Sequence, residues 1–223
     1  MKKLLLATTV LSIVAFSSTA NADGMAGASP FVGTYAGVDL GYGWGDANSE
    51  NYGPIGLPYA STQLNAEIDG FTVGAHLGHN WAIAPNWVLG VEGAANYSGL
   101  EGDDNFSFGD NNEFAADWEG SLTAHVGVAV SPRAMIYVLG GYSWLSGDSN
   151  VTDPGEQETV SETFGGWKFG AGFEYACTQD MNVRLQYSHT NYDAERLTFT
   201  TNNYDLETGP SVDEVSVGLS WRL

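Results

Sequence analysis

Glu214-Val-Ser-Val-Gly-Leu-Ser-Trp-Arg-Leu223 is the last stretch of the chain, and its alternation decides how the rest is read. Val215, Val217, Leu219, Trp221 and Leu223 fall on one face of a strand, because strand side chains alternate with period 2. Glu214, Ser216, Gly218, Ser220 and Arg222 fall on the other. A strand that ends on an apolar residue is unusual at the terminus of a soluble protein, where chains tend to fray in water. It is expected of a transmembrane β-barrel, whose last strand closes against the first and leaves no edge in lipid.

Working upstream, the same alternation recurs at regular intervals. Thr34 to Trp44 sets Ala36, Val38, Leu40, Tyr42 and Trp44 against Gly37, Asp39, Gly41 and Gly43. Ile68 to Trp81 sets Phe71, Val73, Ala75, Leu77 and Trp81 against Thr72, Gly74, His76, Gly78 and Asn80. Trp87 to Tyr97 opposes Leu89, Val91 and Ala95 to Gly90, Glu92 and Asn96. Near Phe114 to Val130, Trp118, Leu122, Ala124 and Val126 oppose Asp117, Glu119, Ser121, Thr123 and His125. Phe164 to Tyr175 opposes Trp167, Phe169, Ala171 and Phe173 to Lys168, Gly170, Gly172 and Glu174. Met181 to Thr190 opposes Val183, Leu185 and Tyr187 to Asn182, Arg184, Gln186 and Ser188. The stretch Ala134 to Trp144 is apolar on both faces, so its outer side is not assigned. With the C-terminal strand these make eight, and a closed single-chain bacterial barrel requires an even number.

The connections alternate too. Ala82 to Asn86, Ser131 to Arg133 and Cys177 to Asp180 read as short turns. Gly45 to Glu67, Ser98 to Glu113, Leu145 to Thr163 and Asn191 to Ser211 are long, polar and rich in Gly, Asn and Asp. Short turns on one side and long loops on the other are the pattern of an outer-membrane barrel. No helical period, heptad or second domain is visible.

The N-terminus reads as a secretory leader. Lys2-Lys3 precedes an apolar run from Leu4 to Phe16, and Ala20-Asn21-Ala22 is a small-x-small site. Residues 1–22 are therefore expected to be a signal peptide and 23–223 the barrel domain. The chain carries 27 acidic residues against 7 Lys and Arg, a formal charge of -20. Past the leader the only cations are Arg133, Lys168, Arg184, Arg196 and Arg222. Such acidity excludes a nucleic-acid partner, which needs a basic face, and electrostatic attachment to anionic lipid. Cys177 has no second cysteine to pair with and reads as a small inert residue. No segment has the 18 or more apolar residues of a membrane helix.

Gly166-Trp-Lys-Phe-Gly-Ala-Gly-Phe-Glu-Tyr175, then Val183-Arg-Leu-Gln-Tyr187, then the terminal Val-Gly-Leu-Ser-Trp-Arg-Leu resemble the opacity-type "porin family" of small Gram-negative outer-membrane proteins. That family is related in architecture to the OmpA membrane domain. The resemblance implies an all-β, eight-stranded, antiparallel, up-and-down transmembrane β-barrel in the outer membrane. It also implies delivery by the barrel assembly machinery through the C-terminal strand. The sequence departs from the family in ending on Leu223 rather than Phe, and it reads as lacking the wall-binding domain of full OmpA.

The tryptophans Trp44, Trp81, Trp87, Trp118, Trp144, Trp167 and Trp221 lie in or at the edges of strands, where headgroup-level girdles favour amphipathic rings. A charge on the lipid face at midplane costs about 2–4 kcal/mol for Arg or Lys. Glu92, Glu119, Lys168, Glu174, Arg184, Glu214 and Arg222 are therefore expected to point inward, and buried charges need partners. The expectation is a salt-bridge network plugging the lumen, centred on Arg184 with Glu92, Glu174 or Glu119. Many inward glycines would leave gaps for water.

No recognisable catalytic motif surrounds His76, His79, His125 or His189, and no cofactor or metal site is assigned. The acidic runs Asp103-Asp104, Asp110 to Glu113 and Asp148 to Glu158 match no EF-hand loop. The function expected is structural and interactive: maintaining the outer membrane among its lipids and lipopolysaccharide and displaying acidic loops whose ligand the sequence does not name. The alternative is a narrow, cation-preferring porin for small solutes. A soluble lipocalin-type barrel shares the alternation with the faces reversed, and alternation alone does not separate the two.

Overall fold

Among the described residues nine strands follow one another in chain order, each antiparallel to its neighbours: β1 (Gly33–Tyr52), β2 (Gln63–Ala84), β3 (Trp87–Asn105), β4 (Asn111–Ser131), β5 (Ala134–Asp153), β6 (Glu156–Ala176), β7 (Met181–Tyr192), β8 (Glu195–Phe199) and β9 (Tyr204–Arg222). The computed structural model describes residues 29–52, 63–105, 111–153, 156–199 and 204–223. The expected leader and its cleavage site lie outside them. β9 pairs with β7 along its lower half and with β8 along its upper half. β7 and β8 thus form one wall, interrupted at Asp193-Ala194 opposite Gly209-Pro210. Proline has no N–H to give a ladder, so the pairing breaks and resumes one residue out of step. β1 pairs with β9 from Tyr35–Arg222 to Tyr52–Asp205. The result is a closed, eight-walled, antiparallel up-and-down β-barrel.

The register fixes the stagger. From Tyr35 the row of partners runs through Gly78, Glu92, Thr123, Gly141, Lys168, Thr190 and Val212, and returns to β1 at Gly45, ten residues on. Closure of this kind requires strands tilted to the barrel axis.

The two faces are opposite in chemistry. Leu40, Phe71, Leu122, Val138, Phe169 and Val217 are exposed on the outside, whereas Glu92, Thr123, Lys168, Arg184 and Ser216 are buried inside. This is the inverse of a soluble barrel. It also settles the fifth strand, where Ile136 and Val138 face out while Met135, Tyr137 and Leu139 fill the interior. On β1 the apolar exterior runs from Ala36 to Trp44 and gives way to exposed Asp46. That is about 27 Å of strand, or roughly 20 Å along the normal at the usual tilt, close to the ~25 Å apolar band of an outer-membrane barrel.

Seven tryptophans, all exposed on the outer wall, bracket this band. Trp81, Trp87 and Trp221 lie toward the short-turn end. Trp44, Trp118, Trp144 and Trp167 lie toward the other, where Tyr97 meets Trp118 edge-on at 5.7 Å between ring centres and Tyr142 meets Trp167 at 5.5 Å.

Two readings from the sequence are corrected. The long polar connections are mostly strand: most of the ladders continue to 19–22 residues, twice what crosses a membrane. Their Gly, Asn and Asp content suits loops, but continuous pairing with the neighbouring strand holds them extended. Asp117, assigned inward by strict alternation, is exposed beside Trp118. It is the unpaired extra residue of a β-bulge between Ala116 and Trp118, which resets the parity of β4.

Candidate functional site

The lumen is built in layers from inward side chains. At the short-turn end, Phe31, Val88, Met135, Tyr137, Leu139 and Ala176 form an apolar floor. Phe31 does not belong to a strand. A turn at Ser29 to Val32 carries it into the barrel mouth, closed by Val32 N–H donating to Ser29 O at 3.2 Å. The side-chain amides of Asn80 and Asn182 donate to the carbonyls of Phe31 and Pro30 at 2.9 and 3.1 Å. Gly33 then turns the chain into β1 with φ +119°, a conformation that residues with a Cβ rarely adopt. At the other end Ile68, Leu100, Leu145, Phe164, Tyr192 and Val212 form an apolar roof.

Between floor and roof sit the charges. Arg184 on β7 donates from Nη1 to both oxygens of Glu92 on β3 at 2.9 and 2.7 Å. Its Nε and Nη2 donate to the two oxygens of Asp39 on β1, both at 2.9 Å. β3 and β7 stand four walls apart in an eight-walled barrel, so this ion pair spans the lumen from side to side. Tyr35 Oη donates to Glu92 at 2.8 Å. On the roof side, Lys168 donates to Glu119 at 2.6 Å, and Ser143 Oγ donates to the same carboxylate oxygen at 2.8 Å.

The remaining expected residues stand apart from these two centres. Glu174 accepts from the Asn182 amide at 2.6 Å and makes no ion pair with Arg184. Arg222 sits at the short-turn rim and donates to the exposed Asp180 at 2.6 Å. Glu214 is buried beside the Lys168 centre. The inward glycines do not leave the gaps their composition suggests. A Cβ on Gly78 would lie 2.4 Å from the Tyr35 ring, and one on Gly172 would lie 2.3 Å from Tyr137. These two glycines are each covered by an aromatic ring from the next wall, as in the aromatic rescue of strand glycines. Among the described residues, the lumen includes small cavities of about 10 and 20 Å³, on the order of a water molecule each.

One constellation has no trace in local sequence. Asp39 Oδ2 lies 2.6 Å from His76 Nδ1, and His76 Nε2 lies 2.9 Å from Ser220 Oγ. The order matches carboxylate, base and nucleophile of a serine hydrolase. Here, however, Asp39 is shared with Arg184, and the backbone at Ser220 is paired on both sides, with Gly37 and Asn182. No N–H pair is left there to stabilise an oxyanion. Only inward parity hinted at it, since the three residues are spread over β1, β2 and β9. His125 lies against Tyr137, 5.5 Å between ring centres. Among the described residues no group of three or more His, Cys, Asp or Glu side chains is arranged to hold a metal ion. The acidic runs at 103–113 and 148–158 lie outside the residues whose side chains are described.

Comparison with known proteins bears on the same architecture. The family described as "Outer membrane protein beta-barrel domain" matches residues 8–222. The chain belongs to that family. Among members of the outer-membrane β-barrel family and its relatives, the chain is 28% identical over 209 residues to the 31 kDa outer-membrane immunogenic protein of Brucella melitensis, covering 86% of this chain and 83% of that protein. It is 32% identical over 188 residues to a 22 kDa outer membrane protein of Rhizobium leguminosarum bv. viciae, covering 82% and 77%. It is 30% identical over 198 residues to the 25 kDa outer-membrane immunogenic protein of Brucella canis, covering 86% and 79%. In fold it is similar to the outer membrane protein OprG of Pseudomonas aeruginosa, at TM-score 0.55 and 14% identity over 86% of this chain and 97% of that one. Family, exterior and closure agree on an outer-membrane protein.

Proposed function

We propose that this barrel is a non-conducting structural element of the outer membrane that carries β-hairpins above the membrane surface, with no catalytic role. The observation that carries the reading is the Arg184 bridge. It ties Asp39 and Glu92 across the lumen between an apolar floor and an apolar roof. A path for solute would have to break charge-assisted bonds and displace Phe31. The Ser220–His76–Asp39 set belongs to the same bracing. The tryptophans seat the barrel at the two headgroup levels, β9 is the strand offered to the assembly machinery, and lipid and lipopolysaccharide are its lateral partners. Relatives named for immunogenicity fit a protein whose extended hairpins face the outside.

Single-channel recording of the refolded barrel in a planar bilayer tests this. A folded, heat-modifiable but silent barrel is expected; steady cation-selective steps would overturn it in favour of a narrow porin. That second reading rests on a specific observation: Asp39, Glu92, Glu119, Glu174 and Glu214 outnumber Lys168 and Arg184 inside.

A further inference from the structure

We infer that the upper edge of β6 takes up an extended, basic segment of another protein as an added β-strand.

Above the belt the barrel divides into two sheets. β2 and β3 stop pairing above Asp69–Glu101, although β2 continues along β1 to Gln63 and β3 continues along β4 to Asn105. β6 and β7 stop above Gly166–Tyr192, while β6 continues along β5 to Glu156. β8 pairs with β9, and among the described residues no ladder joins it to β6. One sheet is therefore β3-β4-β5-β6 and the other β8-β9-β1-β2. Of the edges this leaves, that of β6 is the longest; β8 offers only Glu195 to Phe199 and β3 only Gly102 to Asn105.

The ladder identifies the bare groups. Asp193 N–H donates to Gly165 O at 2.7 Å, so the N–H and C=O of Gly165 point away from β5. Every second residue of an antiparallel strand does the same. The register of β6 on β5 runs without a bulge from Gly166 to Glu156. Gln157, Thr159, Ser161 and Thr163 therefore aim their N–H and C=O groups at the unpaired side.

Such an edge is a template for any strand, including one from a second copy. Charge selects among them. Glu156, Glu158 and Glu162 lie along this stretch with no Lys or Arg between Glu156 and Phe164, in a chain of net charge -20. Like charges across a strand pair repel and opposite charges attract, so self-pairing is opposed and a strand carrying Lys or Arg is favoured. Backbone bonds would supply the affinity and the acidic residues the selectivity.

The inference rests on the hairpins standing outside the membrane, as in the function proposed above, and not on whether the lumen conducts. Hydrogen exchange of the refolded barrel in nanodiscs tests it, with a capped (Lys-Thr-Lys-Val)2 peptide as probe. Without peptide, the amides of Thr159, Ser161 and Thr163 are expected to exchange fast and those of Glu158, Val160 and Glu162 slowly. The peptide should slow the first set by about tenfold or more, and less so at high salt. A Lys-Pro repeat of equal charge, which adopts polyproline II instead of a strand, should not. Thr159→Pro removes one outer N–H and leaves the β5 ladder intact, and is expected to weaken peptide binding by about tenfold. Slow exchange of the first set without peptide would overturn the open edge. Equal protection by the Lys-Pro repeat, or undiminished binding by Thr159→Pro, would reduce the effect to bulk charge and overturn added-strand binding. A dimer by sedimentation that excludes the peptide would overturn the basic partner in favour of a second copy. A conducting barrel whose binding still depends on Thr159 would sink the non-conducting reading and leave the edge standing.

Discussion

Arg184 is the residue on which the interior turns, because removing it strands two buried carboxylates at once. Arg184→Ala is expected to lower the unfolding free energy by about 3–5 kcal/mol, the range for breaking a buried pair by deleting one partner. Urea titration in vesicles, followed by the electrophoretic shift of the folded form, reads this directly. Glu92→Gln should cost less, since Asp39 still holds the guanidinium. At Gly78 the expected effect is steric. Gly78→Ala pushes the Tyr35 ring off its seat and off Glu92, for a loss of about 1–3 kcal/mol in the same assay. Which face each of these residues occupies was legible in the alternation. Their partners were legible only in part: Glu92 was among the three carboxylates expected of Arg184, but that it takes the guanidinium together with Asp39, rather than Glu174 or Glu119, follows only from the ten-residue stagger, which no single strand encodes.

At the scale of elements, the Ser29–Val32 turn and the tall hairpins were the parts hidden from sequence reading. Phe31 sits outside any alternating run, so nothing local marks it as an interior residue. Its burial depends on Asn80 and Asn182, which come from β2 and β7. Phe31→Ala is expected to cost about 3–5 kcal/mol, as for other buried phenylalanines. It should also raise the bilayer conductance of the refolded protein above the silent baseline. The upper halves of β1 to β6 were read as loops because Gly, Asn and Asp dominate them. What holds them extended is the ladder itself, as in the Asp46–Glu67 and Ala47–Ala66 pairs. Replacing residues 49–64 by a two-residue Asn-Gly turn is therefore expected to leave the heat-modifiable fold intact. Loss of the folded band on the gel would contradict this.

For the whole molecule, the reversed polarity of the two faces sets the tolerance map. Leu40, 61% exposed and central in the apolar stretch of β1, faces lipid tails. Leu40→Arg is expected to destabilise the inserted barrel by about 2–4 kcal/mol. Asp46→Arg, one pleat repeat above Trp44 at the edge of the belt, should be nearly neutral. Paired unfolding titrations in vesicles separate the two. Fold class was readable in advance because strand parity, turn length and aromatic spacing all depend on the membrane as solvent. The filling of the lumen depends on which walls face each other, and emerges only on closure.

Closure also has a consequence in time. β1 pairs with β2 on one edge, but its other edge, residues 35–52, has no partner until residues 205–222 have been synthesised. A lone hairpin slipped into lipid would carry a row of bare N–H and C=O groups on each edge, at several kcal/mol apiece. Insertion hairpin by hairpin is thereby closed off as a route. The chain must be kept soluble and open outside the bilayer until its final strand arrives, and the most remote contact in the sequence is the one that commits it. Low-contact-order folding is denied to this architecture. Its window of vulnerability to proteases and aggregation comes before insertion, and it ends when the seam is zipped.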